Sequence, residues 1–156
     1  MTTASVLAIF VAPEGGQTLS EIPETRAVPG RGLAGDRYFD KKGTYSARPG
    51  SGREVTLIES EALIAAKGDY AIDFAPGSHR RNLVTRGVAL NHLVGKEFTV
   101  GTARLRGTRL CEPCTYLGEL LHEPRSKIAL VHHGGMRCEI VSEGAIKTGD
   151  TIVTVS

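Results

Sequence analysis

The stretch HRRNLVTRGVALNHLVGKEFTVGTARLRGTRLCEPC, residues 79–114, decides the fold class because it holds several short strand-like segments in a row. Alternating apolar positions and β-branched side chains predict strands over 81–86, 97–100 and 102–107. Glycine-containing turns separate these segments, and helical signals are few. Many short strands with turns are typical of a β-barrel or sandwich, not of alternating βα units.

The rest of the chain extends the same pattern to its two ends. Further strands are predicted near 4–11, 54–58, 136–141 and 151–155. Short helices are predicted in SEALIAAKGD, with Ser60 as N-cap and Gly68 as the stop, and in TYLGELLHE and PRSKIALVHH, residues 115–123 and 124–133. We therefore expect a mainly β fold with a few short helices, forming a single domain over residues 1–156.

Composition excludes several broad classes of protein. Hydrophobic content of 40% and charged content of 23% argue against both disorder and membrane spanning. The apolar run ASVLAIFVA, residues 4–12, is too short to cross a bilayer and has no basic segment before it, which argues against a signal peptide. An odd number of cysteines, three, together with no export signal, favours free thiols in the cytoplasm.

The balance of charge says more about a ligand than about a macromolecular partner. A net charge of +2 is too small for a general nucleic-acid or membrane binder. Among the 19 basic residues, 13 are Arg and 6 are Lys, and the planar guanidinium matches phosphate or carboxylate. This bias favours an anionic ligand, although a GC-rich coding sequence would produce the same excess of Arg.

GRGLAGD, residues 30–36, matches the dinucleotide-binding pattern G-x-G-x-x-G only by its letters. That pattern has to follow a buried strand and open a helix, whereas here Pro29 precedes it and no helical period follows. The prediction that remains is a flexible loop whose backbone N–H groups can approach a ligand, with Asp36 and Arg37 at its end. A plain surface loop is the structural alternative.

SHRRNLV, residues 78–84, brings two arginines and an asparagine to the start of a predicted strand. On a strand, Arg80 and Asn82 would share one face and Arg81 would lie on the other. Arg and Asn together can bind a phosphate and the edge of a heterocycle. A solvated sheet edge is the structural alternative.

TRLCEPCTY, residues 108–116, leaves four interpretations open. Cys111 and Cys114 could complete a zinc site with Cys138 and either His132 or His133. They could be a redox pair, although a thioredoxin-like βαβ context is not predicted here. One of them could be a reactive thiolate whose pKa is lowered by Arg109 or Arg137, able to ligate a soft metal or carry sulfur. They could also be plain buried cysteines.

Taken in order, four segments resemble the MOSC domain, named after the C-terminal domain of molybdenum-cofactor sulfurases. These segments are GLAGDRY (32–38), REVTLIESEAL (53–63), residues 79–114 and CEIVSEGAIKTGDTI (138–152). The resemblance covers roughly residues 28–155 and is that of a small stand-alone bacterial-type member. It implies an antiparallel β-barrel, a molybdopterin-type cofactor, and a cysteine that ligates molybdenum or carries sulfur for transfer as a persulfide.

The resemblance also assigns roles to residues. The family's cysteine falls on Cys114, which is both the catalytic residue and the metal ligand, and Cys111 takes the accessory position. The loop acid and base match Asp36 and Arg37, and the arginine and asparagine before the strand match Arg80 and Asn82. With their neighbours, the predicted cofactor-binding residues are Asp36, Arg37, Arg80, Arg81, Asn82, Arg109 and Cys111.

The partners follow from what the resemblance would add elsewhere. The sulfurases carry a pyridoxal-phosphate desulfurase domain, and the amidoxime-reducing relatives carry a further N-terminal portion, and this chain has room for neither. We therefore expect pyridoxal phosphate only in a partner protein. The expected partners are the pterin cofactor and either a cysteine desulfurase or an electron-transfer protein, with no nucleic acid and no membrane. The alternatives are a molybdenum-dependent reductase of N-hydroxylated compounds, a zinc-stabilised non-catalytic β module, and a thiol–disulfide protein.

Overall fold

The computed structural model describes residues 3–12, 19–36, 54–74, 79–111 and 134–155. These ranges are mainly β-strand, as the sequence predicts. The helices are α1 (Ser60–Tyr70) and a short 3-10 helix (Leu90–Leu93). The strands are β1 (Ser5–Val11), β2 (Ser20–Ile22), β3 (Glu24–Val28), β4 (Gly32–Leu33), β5 (Val55–Glu59), β6 (Leu83–Arg86), β7 (Glu97–Val100), β8 (Ala103–Leu110), β9 (Met136–Ser142), β10 (Gly144–Lys147) and β11 (Ile152–Thr154).

Eight strands form one large sheet in the order β11-β7-β8-β9-β5-β6-β1-β2. Every pairing among the described strands is antiparallel except that of β5 with β6. Parallel neighbours need a crossover connection, and α1 lies between β5 and β6 in the chain. The described part of the fold therefore contains a βαβ unit, which the sequence analysis did not predict.

The predicted closed barrel is not confirmed. The large sheet is open, with β11 at one edge and β2 at the other. In the described part of the chain, no continuous ladder of hydrogen bonds joins its two ends. A single bridge joins Ser5 to Thr151, supported by hydrogen bonds from Val6 N to Asp150 O (2.9 Å) and from Ile152 N to Ala4 O (2.9 Å). The sheet curls until β1 touches the start of β11, but it does not close by regular strand pairing.

A second sheet of three strands, in the order β10-β3-β4, was not predicted. Residues 144–147 pair with β3 as a strand, and the sequence analysis predicted no strand there. Part of the predicted flexible loop over residues 30–36 is strand β4, paired with the end of β3. Gly32 is required there: its φ is +106°, and a Cβ would lie 2.7 Å from the Glu54 carbonyl oxygen.

Two apolar clusters lie on opposite faces of the large sheet. The inner cluster includes fully buried Leu57, Phe98, Leu105 and Met136. The outer cluster is smaller and includes Ala66 of α1 together with Phe10, Ile58 and Val84 of the sheet. Since successive side chains of a strand point to opposite faces, β5 contributes Leu57 to the inner cluster and Ile58 to the outer one.

Helix α1 confirms the helix predicted over residues 60–69, with corrections at both ends. The N-cap is Glu59, whose side chain accepts a hydrogen bond from Leu90 N (3.3 Å) instead of capping the helix. Gly68 does not stop the helix, since one glycine costs only about 1 kcal/mol in a helix interior. The helix ends at Tyr70, where Ala71 takes a left-handed conformation with a φ of 56°.

The helices predicted over 115–123 and 124–133 lie outside the described residues. Among the described helices, none combines the length and apolar character needed to cross a membrane.

Candidate functional site

The centre of the candidate site is the guanidinium group of Arg81. This residue is buried, with only 6% of its surface exposed. Its Nε donates to the carbonyl of Gly134 (2.7 Å), its Nη2 to that of Cys111 (3.0 Å) and its Nη1 to that of His79 (2.9 Å). Cys111 directly follows β8, and Gly134 lies shortly before β9. The Arg81 side chain therefore holds both ends of the segment that carries Cys114 next to the start of β6 by hydrogen bonds.

His79 completes this arrangement as a neutral, buried ring. Its Nδ1 accepts a hydrogen bond from Arg81 N (3.0 Å), which leaves the proton of the neutral ring on Nε2. The ring meets Phe10 edge-on, with 5.3 Å between centroids. Burial, and secondarily the charge of Arg81, lowers the pKa of His79 from 6.5 to about 4.

This lowered pKa predicts a specific loss of stability in weak acid. Between pH 6.5 and pH 4 the unfolded chain binds a proton at His79 that the folded chain does not. The free energy of unfolding therefore falls as the pH drops through this window, by about 3 kcal/mol in total once the pH is below 4. Urea unfolding of the wild type and of His79→Gln at several pH values measures this contribution as the difference between the two curves.

His92 provides the matched control because it is exposed in the 3-10 helix. His92→Gln should keep the pH dependence of the wild type. A His79→Gln protein with an unchanged pH dependence would show that this ring is not buried in its neutral form.

Asn82 joins three strands from a position just before β6. Its Nδ2 donates to Phe10 O on β1 (3.0 Å), and its Oδ1 accepts from the N and Oγ1 of Thr56 on β5, both at 3.1 Å. The residue is only 1% exposed. These partners make Asn82 part of the fold, and its predicted contact with a cofactor stays a prediction.

Arg80 has a strained backbone, with a φ of 66°. A left-handed conformation costs a residue other than glycine roughly 1–2 kcal/mol, and such outliers concentrate at functional sites. Because β6 begins at Leu83, the predicted strand alternation of Arg80, Arg81 and Asn82 does not apply. Arg80 is half-buried, whereas Arg81 and Asn82 are both buried.

Asp36 is fully buried beside the end of β1, where its Oδ1 accepts from Ala12 N (3.2 Å). The loop before it is less open to a ligand than predicted, because several of its backbone N–H groups already bond within the protein. Gly30 N donates to Glu54 Oε1, Arg31 N to Val28 O, and Ala34 N to Arg26 O. The loop therefore supports Asp36 more than it offers a backbone cradle.

The two described cysteines occupy different environments, and both carry free thiols. Cys111 is 8% exposed, and its N–H donates to Gly135 O (2.7 Å). Cys138 is fully buried in the inner cluster, and burial raises the pKa of its thiol, with smaller contributions from Cys111 and Glu54. A zinc ligand has to be a thiolate, so this environment is unfavourable for Cys138 in a zinc site.

Metal-binding clusters of three or more His, Cys, Asp or Glu side chains are absent from the part of the chain that the structure describes. Cys114, Arg37, His132 and His133 lie outside that part. In the sequence, Cys114 follows Cys111 by three residues, and Arg37 directly follows Asp36.

Contacts link most of the predicted site residues that the structure describes. Asp36 accepts a hydrogen bond from Ala12, just after β1, and Phe10 of β1 contacts the His79 ring and accepts a hydrogen bond from Asn82. Arg81 donates a hydrogen bond to the carbonyl of Cys111. Arg109 is exposed on β8, opposite Arg137 of β9. Sequence reasoning missed the anchoring roles of Arg81 and His79, since their partners are backbone carbonyls and a ring nitrogen that no motif specifies.

Comparisons with known proteins agree with this fold. YiiM from Geobacillus stearothermophilus aligns at 17% identity and a TM-score of 0.75. The alignment covers 98% of this chain and 75% of the YiiM chain. YuaD from Bacillus subtilis aligns at 21% identity and a TM-score of 0.76, over 97% of this chain and 94% of the other. YiiM from Escherichia coli aligns at 16% identity and a TM-score of 0.70, over 97% and 69% of the two chains.

A search of curated protein sequences gave no match. A model of the MOSC domain, in contrast, matches residues 44–153, well over half of the chain. Together with the fold shared with the YiiM and YuaD structures, this match shows that the chain belongs to the MOSC domain family.

Proposed function

We propose that this chain binds a molybdenum cofactor of the molybdopterin type and that Cys114 is its working residue, either contacting the metal or carrying a sulfur atom as a persulfide. The observation that carries the proposal is the set of hydrogen bonds from Arg81 to Cys111 and Gly134. These bonds hold the ends of the Cys114 segment against the start of β6, where the Arg-Arg-Asn motif lies.

The available donor types fit such a group. Thiolate sulfur is a suitable ligand for a soft metal, and Cys114 follows the described Cys111 by three residues in the sequence. Arg80, with its strained backbone, and exposed Arg109 are the described arginines proposed to bind the cofactor's phosphate. When bound, the group would supply redox or sulfur-acceptor chemistry at molybdenum.

Arg81 and Asn82 take a different part in this proposal. All three guanidinium nitrogens of Arg81 donate to carbonyls, and the amide of Asn82 bonds to β1 and β5. Both are therefore positioning residues, which hold Arg80 and the Cys114 segment in place. Asp36 supports the adjacent loop, and Arg37, its neighbour in the chain, is proposed to face the same ligand.

The decisive variant is Cys114→Ser, in protein purified anaerobically without chelator. We expect the wild type to carry molybdenum with a pterin mass, or one extra sulfur atom, in native mass spectrometry with element analysis. Cys114→Ser should lose that cargo because a hydroxyl is neither a soft ligand nor a sulfur carrier. Cys111→Ser is the matched control and should keep most of the cargo.

Two results would contradict the proposal. Cargo retained in full by Cys114→Ser would remove this residue from its role. One equivalent of zinc, whose removal unfolds the chain, would make the cysteines a structural clip, because the affinity for structural zinc is folding energy.

The proposal also needs a partner protein. If Cys114 carries sulfur, a cysteine desulfurase would supply it, and labelled sulfur would pass from that enzyme to Cys114. If Cys114 contacts the metal of a reductase, an electron-transfer protein would supply electrons for the reduction of an N-hydroxylated substrate. Assays of sulfur transfer and of substrate reduction, each repeated with Cys114→Ser, distinguish the two.

A further inference from the structure

Two arginines lie directly opposite each other on neighbouring strands of the large sheet. Arg109 of β8 pairs in register with Arg137 of β9. A β-bulge between Gly107 and Arg109 causes this, since regular pairing continued from Gly107 and Cys138 would set Thr108 opposite Arg137. Instead, the Thr108 hydroxyl donates to the Arg137 carbonyl (3.0 Å), which fixes the bulge. The bulge thus places two like charges opposite each other.

Both side chains belong to the outer face of the sheet. Met136 and Cys138 on either side of Arg137 are fully buried in the inner cluster, so Arg137 lies on the opposite face, with Glu139. Arg109 is exposed and Arg137 is half-buried. The pair is therefore open to solvent from the Arg109 side.

Nearby carboxylates are already engaged elsewhere. Glu139 accepts from Arg106 (2.7 Å), and Glu97 pairs with both Arg106 (2.6 Å) and Arg104 (3.1 Å). Glu54, which directly precedes β5, accepts a hydrogen bond from Gly30 N, and burial raises its pKa. Within the described ranges, no carboxylate pairs with Arg109 or Arg137.

Arg137 also carries a donor that has no acceptor among the described residues. This donor, Nη1, is buried. A buried donor without a partner is destabilising, and so are like charges directly opposite each other on a sheet. An oxyanion between the two guanidinium groups would remove both costs, since their planar forks match its oxygens.

We infer that Arg109 and Arg137 form a binding site for a doubly charged oxyanion of the phosphate type on the outer face of the sheet. Arg137 also lies in register with Thr56, whose side chain bonds to Asn82, so the site is two strands, about 10 Å, from the Arg-Arg-Asn motif. The anion is either free or the phosphate group of an organic ligand. Arg109 is also one of the arginines proposed above to bind the cofactor's phosphate, so the cofactor would be one such organic ligand. The anion site itself depends only on the arrangement of these two strands.

Calorimetric titration with inorganic phosphate at low ionic strength tests the site directly. The wild type should bind phosphate, and Arg109→Met and Arg137→Met should each weaken its binding about tenfold or more, since one charged hydrogen-bond donor is worth that much. Arg137→Lys keeps the charge but not the fork and should give an intermediate affinity. Arg86→Met, at the exposed end of β6, is the matched control and should bind phosphate as the wild type does.

Adenosine monophosphate distinguishes the two sources of the anion. Tighter binding than free phosphate, lost in both Met variants, indicates a phosphate group of an organic ligand, whereas weaker binding indicates a free oxyanion. No phosphate binding by the wild type, or equal binding by the wild type and folded Arg109→Met, overturns the inference. Cys114→Ser should keep phosphate binding. The loss of cargo in this variant therefore tests the cofactor proposal, and phosphate binding tests the anion site independently.

Discussion

Replacing Arg81 with Met should lower the free energy of unfolding by about 3–5 kcal/mol, one of the two largest effects expected in this protein. Met retains much of the apolar stem but none of the donors, so the carbonyls of His79, Cys111 and Gly134 lose their partner. Each buried acceptor left unsatisfied costs roughly 1–3 kcal/mol, and partial relaxation keeps the sum below the maximum. Urea unfolding monitored by circular dichroism measures the loss.

Arg86→Met is the matched control for this measurement as well. It makes the same change at the exposed end of β6, the strand that Arg81 precedes, and should alter the free energy of unfolding by no more than about 0.5 kcal/mol. Equal stability of Arg81→Met and the wild type would show that the three carbonyl bonds contribute nothing.

Arg81→Met should also change the chemistry of the cysteine segment. Cys111 is 8% exposed while its carbonyl is held by Arg81. In a Cys114→Ser background, alkylation of Cys111 should therefore be faster when Arg81 is Met, and fully buried Cys138 should stay unreactive under native conditions. An unchanged rate of Cys111 alkylation would mean that Arg81 stabilises the fold without positioning this segment.

Four of the strands were predictable from the sequence because their signal is local. β1, β7, β8 and β9 alternate between buried and more exposed positions, or are rich in β-branched residues, within their own few residues. In contrast, β4 has only two residues, and β10, although as long as β7, has a single β-branched residue and lies between turn-forming sequences. Their strand character comes from pairing with β3.

The parallel pairing of β5 with β6 could not be predicted for a related reason. The sequence correctly predicted strands in 54–58 and 81–86 with a helix between them, which are the parts of a βαβ unit. It did not show which strands become neighbours, since that depends on where α1 can bury Ala62 and Ala66. The surrounding hairpin-like strands favoured a purely antiparallel arrangement.

For the candidate site, the sequence motifs predicted where the site residues lie in the fold but not which groups they would hydrogen-bond to. The Arg-Arg-Asn motif and Cys111 do come together, through a bond between Arg81 and a residue 30 positions away. Strand alternation predicted that Arg80 and Asn82 would act together and that Arg81 would point away. The left-handed backbone at Arg80 breaks that alternation, and no local pattern signals it because arginine rarely adopts this conformation.

Gly135 is the second position where a small change should have a large effect, and no motif drew attention to it. Its φ is +104°, and a Cβ at this position would overlap the carbonyl oxygen of Leu57 on β5. Gly135→Ala combines backbone strain of roughly 1–3 kcal/mol with overpacking of roughly 1–3 kcal/mol against a rigid strand. We expect the free energy of unfolding to fall by about 3–5 kcal/mol, measured by urea unfolding.

Gly30→Ala separates the two causes. Its φ is +78°, but nothing lies within 4 Å of the added Cβ, so only the backbone strain, about 1–2 kcal/mol, should appear. Equal losses in the two variants would show that Leu57 moves away freely from residue 135.

Because the Gly135 carbonyl accepts the hydrogen bond from Cys111 N, a displaced Gly135 moves the end of the segment that carries Cys114. Gly135→Ala should therefore lose the cargo of Cys114 even at temperatures where the protein stays folded, whereas Gly30→Ala should keep it.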